Sequence, residues 1–114
     1  MRVLVVDDER PCLDELVFLL SKQENVEIAG AFTSPLEALE ASVGLKPDVA
    51  FLDLSMPHLN GAELAREMLV HILGLKVVFV TAYAKELAKL GDNLAIGSLL
   101  KPVSEARLRE LLRP

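Results

Sequence analysis

Three runs constrain the fold of this chain more than anything else in it: Val3 to Val6, Val49 to Leu52, and Val77 to Val80 are apolar throughout. A strand with one wet face alternates apolar and polar residues. A short unbroken aliphatic run is a strand covered on both faces, the habit of parallel sheets. Two weaker runs, Val26 to Phe32 with Glu27 interrupting and Ala95 to Leu100 with Gly97 and Ser98 interrupting, suit the edges of the same sheet.

Stretches of helical period separate the five runs. Leu13, Leu16, Val17 and Leu20 make an i, i+3, i+4, i+7 stripe behind Pro11, which suits a first helical turn. Ser34 and Glu37 have capping-box spacing around Pro35, with Leu36, Leu39 and Val43 on one face of that helix. A third helix starts at about Gly61 and uses Leu64, Ala65 and Met68; a fourth uses Leu87 and Leu90; a fifth uses Leu108, Leu111 and Leu112. Strand and helix thus alternate five times, and right-handed crossovers wind such a chain into an α/β doubly wound parallel sheet. With the three apolar runs central, the strand order is 2-1-3-4-5, the flavodoxin-like (βα)5 arrangement. The site then lies beyond the carboxyl ends of strands one and three, where the winding reverses.

The chain has 114 residues, 52% of them apolar, enough for one domain spanning residues 1–114. Its 12 Lys+Arg against 17 Asp+Glu leave a net charge of −5, which argues against a nucleic-acid or anionic-membrane surface. The single cysteine, Cys12, cannot close an internal disulfide, so a cytoplasmic location is expected. No run approaches a membrane span or a signal-peptide core.

Reading off the strand ends gives Asp7 and Asp8 after the first, Asp53 after the third, Thr81 after the fourth and Lys101 after the fifth. Taken singly, each has an ordinary reading as a helix cap, turn residue or solvated strand end. Together they converge on one edge. Like charges there repel by about 4 kcal/mol per pair at about 4 Å and an effective dielectric near 20. A hard divalent cation offsets this, and Mg2+ fits because it takes carboxylate oxygens while keeping waters for a phosphate. A carboxylate beside Mg2+, a lysine and a hydroxyl suits phosphoryl transfer to an aspartate. Asp53, the lone acid at its strand end, is the candidate nucleophile; Asp7 and Asp8 are a pair suited to holding the ion.

Val-Val-Asp-Asp-Glu at 5–9, Phe-Leu-Asp-Leu-Ser-Met-Pro at 51–57 with Asn60-Gly61, Val-Thr-Ala at 80–82 and Leu-Lys-Pro at 100–102 resemble the CheY-like receiver domain of two-component response regulators over essentially the whole chain. The resemblance implies that Asp53 accepts a phosphoryl group from a sensor histidine kinase. It also implies that Asp8 ligates Mg2+ directly with Asp7 acting mostly through water, that Asp53 and the Ser55 backbone carbonyl complete the metal site, and that Thr81 and Lys101 contact the phosphoryl group. It implies a cis Lys101–Pro102 bond. It further implies an altered helix 4, strand 5 and helix 5 surface that governs a homodimer or an effector, C-terminal or separate, in transcriptional regulation. The wording around Thr-Ala-Tyr and Leu-Leu-Lys-Pro-Val is similar to receivers attached to LytTR-type DNA-binding regions. One position departs: receivers usually carry an aromatic residue three before the lysine, and here that residue is Ser98, with Tyr83 nearby in sequence to Thr81.

Two other classes compete. A haloacid-dehalogenase-type phosphatase also forms an aspartyl phosphate on a similar sheet, but it carries a second acid two residues on, where this chain has Ser55. A flavin carrier needs a Ser/Thr/Gly-rich phosphate cradle in the first loop, where this chain has three acids. His58 reads as an exposed loop residue, His71 as a residue facing a helix end, and Cys12 as a small packed side chain.

Overall fold

A computed structural model of the protein describes residues 1–90 and 94–113; Pro114, the last residue of the expected domain, lies outside them. The elements alternate as the sequence predicts: β1 (Arg2–Val6), α1 (Arg10–Ser21), β2 (Glu27–Phe32), α2 (Pro35–Leu45), β3 (Val49–Asp53), α3 (Gly61–His71), β4 (Lys76–Thr81), α4 (Ala84–Lys89), β5 (Gly97–Leu100) and α5 (Glu105–Leu111). All pairings are parallel, in the order β2-β1-β3-β4-β5.

The central strands divide their side chains between two cores. Val3, Val5, Phe51, Val78 and Val80 face α1 and α5, meeting Leu13, Leu16, Leu20 and Leu108. Leu4, Val6, Leu52 and Phe79 face the other way, onto Leu64, Ala65 and Met68 of α3 and Ala38 of α2. This two-sided burial is why the runs show no polar alternation, and each fully buried large side chain contributes about 1.5–3 kcal/mol. The edge strands β2 and β5 are mostly half-buried, as their interrupted patterns predict.

The apolar face of α2 is only partly the face that meets the core. Leu36 and Val43 are half exposed, at 55% and 51%, while Pro35, Ala38 and Ser42 are buried. Small residues at Ala38 and Ser42 let the helix sit close to the sheet, and Ser42 satisfies its hydroxyl on the Leu39 carbonyl at 2.8 Å. Leu39 and Leu45 reach the core from the flank. At the helix start, Ser34 accepts the Glu37 N–H at 3.2 Å.

Lys46 ends α2 in the left-handed region, at φ 50° and ψ 59°. A Cβ is unfavourable there, and the position is one that glycine ordinarily fills. Lys46→Gly is therefore expected to raise stability by about 0.5–1 kcal/mol. A urea melt showing an unchanged or lowered midpoint would contradict this.

Candidate functional site

The strand ends deliver their polar residues to one edge. β1 runs straight into Asp7, which is 2% exposed, and β3 ends on Asp53, 4% exposed. Buried valines and leucines lead directly into both, so the sheet fixes their backbones. The Asp7 amide donates to the Phe32 carbonyl at 3.1 Å, and its Oδ1 accepts the Glu9 amide at 3.0 Å.

Beneath Asp53 the chain turns tightly. The Gly61 amide donates to the Leu54 carbonyl at 3.0 Å, and a Cβ added at Gly61 would stand 2.3 Å from the Asp53 carbonyl oxygen. Only glycine permits this approach of α3 to the end of β3. Asn60 and Glu63 close a full capping box there, the side chain of each accepting the other's backbone N–H at 2.9 and 3.0 Å. His58, exposed in the same loop, adopts φ 72°.

Carboxylate oxygens of Asp7, Asp8 and Asp53 lie within 4.8 Å of one another. Lys101 enters from β5, its amide tied to the Thr81 carbonyl at 2.8 Å and followed by a cis bond to Pro102. Its Nζ stands 2.8 Å from Asp7 Oδ2, 3.5 Å from Asp53 Oδ1 and 3.7 Å from Glu9 Oε1. Burial works against the Lys101 charge, but the Asp7 hydrogen bond and the Asp53 and Asp7 charges outweigh it and raise its pKa. Desolvation, then the Asp7 charge, push Asp53 up to about 7 despite Lys101.

One ammonium does not neutralise three carboxylates. Asp8 Oδ1 is buried without a hydrogen-bond partner, and a lone pair so placed is costly unless something positive meets it. An all-oxygen donor set of this kind fits a hard divalent cation.

Thr81 is buried, 1% exposed. Its hydroxyl donates to Glu86 Oε1 of α4 at 2.6 Å and accepts the Tyr83 amide at 3.1 Å. Ser55 is exposed and donates its hydroxyl to Glu86 Oε2 at 2.7 Å. The Thr81 hydroxyl, then that of Ser55, hold Glu86 below the ordinary carboxylate range. Glu86 carries no motif, and an acid in the first turn of a helix is commonplace, so the sequence does not single it out. Glu9 likewise reads as a helix-start acid, yet it reaches Lys101. Cys12 is half-buried, where a packed side chain was expected, with its thiol 3.8 Å from Glu9 Oε1. Its pKa is raised, chiefly by burial.

Ser98 is half-buried on β5, and Tyr83 is 64% exposed beside Lys101 and Pro102 on the rim of a groove. Among the described residues, no helix is long and apolar enough to cross a membrane.

This fold has counterparts among known proteins. The response regulatory domain of MrkE from Klebsiella pneumoniae superposes with a TM-score of 0.84 at 31% identity, covering 98% of this chain and 92% of that one. An uncharacterized response regulatory protein of Yersinia pestis is 40% identical over 98% of this chain and 47% of its own length. The transcriptional regulatory protein BtsR of Escherichia coli K12 is 38% identical over 98% of this chain and 46% of its own. The chain thus spans about half the length of these curated relatives. The response regulator receiver domain family matches residues 3–113, and with the order β2-β1-β3-β4-β5 ending on Asp7, Asp53, Thr81 and Lys101, the chain belongs to that family.

Proposed function

We propose that residues 1–114 act as one receiver domain, a phosphorylation-controlled switch in which Asp53 takes a phosphoryl group from a sensor histidine kinase. The observation that carries this reading is the meeting of the Asp7, Asp8 and Asp53 carboxylates, with the Lys101 ammonium reaching Asp7 and Asp53. Asp7, Asp8, Asp53 and the Ser55 backbone carbonyl would hold Mg2+, which when bound supplies charge neutralisation at the acidic edge. An Asp53 oxygen attacks phosphorus, a new O–P bond forms, and the bond to the donor breaks with the electron pair leaving on the donor atom. Lys101 steadies one phosphoryl oxygen electrostatically and the Thr81 hydroxyl donates to another. The added charge, from about −1 to about −2, then biases the α4, β5 and α5 face toward a homodimer or an effector, C-terminal or separate. The BtsR likeness supports an output in transcription, and the site chemistry belongs in the cytoplasm with such kinases. The net charge of −5 argues against a nucleic-acid or anionic-membrane surface on this domain.

A haloacid-dehalogenase-type phosphatase carries a proton donor two residues beyond the nucleophile. That residue is Ser55, and the neighbouring Glu86 is held in its charged form, suited to accepting rather than giving a proton. The test is incubation with Mg2+ and acetyl phosphate followed by intact mass measurement. One phosphoryl group is expected on the wild type and none on Asp53→Asn; a wild type that gains nothing, or a variant that gains equally, would overturn the assignment.

A further inference from the structure

The Thr81 hydroxyl has one proton, and Glu86 holds it. A threonine hydroxyl offers a single O–H donor with two acceptor lone pairs. Here the donor goes to Glu86 Oε1 at 2.6 Å, while one lone pair takes the Tyr83 amide at 3.1 Å. The second Glu86 oxygen takes the Ser55 proton at 2.7 Å, so one carboxylate clamps the loop after β3 and the end of β4 to α4. Both bonds are short and charge-assisted, roughly twice as strong as neutral ones.

We propose that Glu86 is a latch: it occupies the Thr81 hydroxyl in the unmodified protein, and a phosphoryl group on Asp53 claims the same proton only by displacing it. The inference rests on the reading of Asp53 as the phosphoryl acceptor and adds how that site is held off and how its change is passed on. α4 runs only from Ala84 to Lys89 and has no fully buried side chain, Leu87 packing half-buried against the core, so the Glu86 clamp adds directly to what fixes its first turn. Release of Thr81 therefore frees α4. This route needs no ring at Ser98, whose hydroxymethyl group has nothing comparable to move. Glu86 is a positioning residue, acting through Thr81.

The full chain is titrated with beryllofluoride in Mg2+ as the phosphoryl mimic, following backbone amide shifts. Glu86→Ala is expected to bind about five- to tenfold more tightly than wild type and Glu86→Gln, which keeps a weaker acceptor, about two- to threefold. In unliganded Glu86→Ala, the Tyr83 amide and those of residues 84–89 are expected to sit displaced toward their wild-type bound positions. Tighter binding without that displacement would reduce Glu86 to a repelling charge and overturn the latch, as would unchanged or weaker binding in both variants. A wild type that does not bind beryllofluoride, or Asp53→Asn binding it equally well, would instead remove the receiver reading, and the latch with it.

Discussion

Lys101→Met is expected to destabilise the metal-free protein at pH 7.5 by about 2–4 kcal/mol, because it strips the cation from buried carboxylates while keeping the side chain's bulk. The Lys101 side chain is 14% exposed against 3% for Asp7 and 5% for Asp53, so water screens the loss poorly. The pH dependence follows from Asp53. Its carboxyl, raised to about 7 in the folded protein from an ordinary value of 3.8, holds a proton that the unfolded chain releases. The folded state therefore binds more protons between about pH 4 and 7, and in chelator wild-type stability falls as pH rises through that window. At about 1.4 kcal/mol per unit, the full fall is at most about 4 kcal/mol. The raised Lys101 pKa works in the opposite range: its contribution is complete below about pH 10 and does not shape the neutral region. Replacing Lys101 thus costs less at pH 5, where Asp53 is neutral, than at pH 7.5, although its 2.8 Å contact with Asp7 is lost at either pH. Urea melts at the two pH values measure it, and equal losses at both would count against the Asp53 contribution.

Gly61→Ala is the second large effect. The new Cβ would lie 2.3 Å from the Asp53 carbonyl oxygen and 2.9 Å from the Leu54 Cα, both backbone atoms that cannot rotate away. Either α3 retreats from the sheet, opening the contacts of Leu64 and Met68, or the end of β3 moves and takes Asp53 with it. An overpacked site of this kind costs about 1–3 kcal/mol. Because the clash falls on the carbonyl of Asp53, the proposed acceptor, phosphoryl uptake should slow at least tenfold even where the variant is fully folded. Normal uptake by a folded Gly61→Ala protein would show that the approach does not position Asp53.

What could be read in the residues, and what could not, follows the range of the interactions involved. The central strands were legible because two-sided burial leaves an unmistakable aliphatic run, and the edges β2 and β5 because Glu27, Gly97 and Ser98 break theirs. Strand ends in a parallel sheet share one rim, so Asp7, Asp8, Asp53, Thr81 and Lys101 could be brought together before any coordinate was known. The buried face of α2 was not legible, because hydropathy marks Leu36 and Val43 whereas close packing favours Ala38 and Ser42. Small side chains carry that contact, and their hydropathy signal is faint. Glu86 stayed hidden for another reason: its partners, Ser55 and Thr81, lie on different strands' ends, and only the assembled rim sets one carboxylate between two hydroxyls.

The most direct measurement is a Mg2+ titration of metal-free protein at pH 7.5, read as stability to urea. Wild type should gain stability with the logarithm of Mg2+ above its dissociation constant, by about 1.4 kcal/mol at roughly tenfold that constant. Asp8→Asn, which removes the carboxylate whose buried oxygen has no protein partner, should gain little or nothing. A wild type indifferent to Mg2+, or an Asp8→Asn protein stabilised as strongly, would contradict a cation site built from these acids.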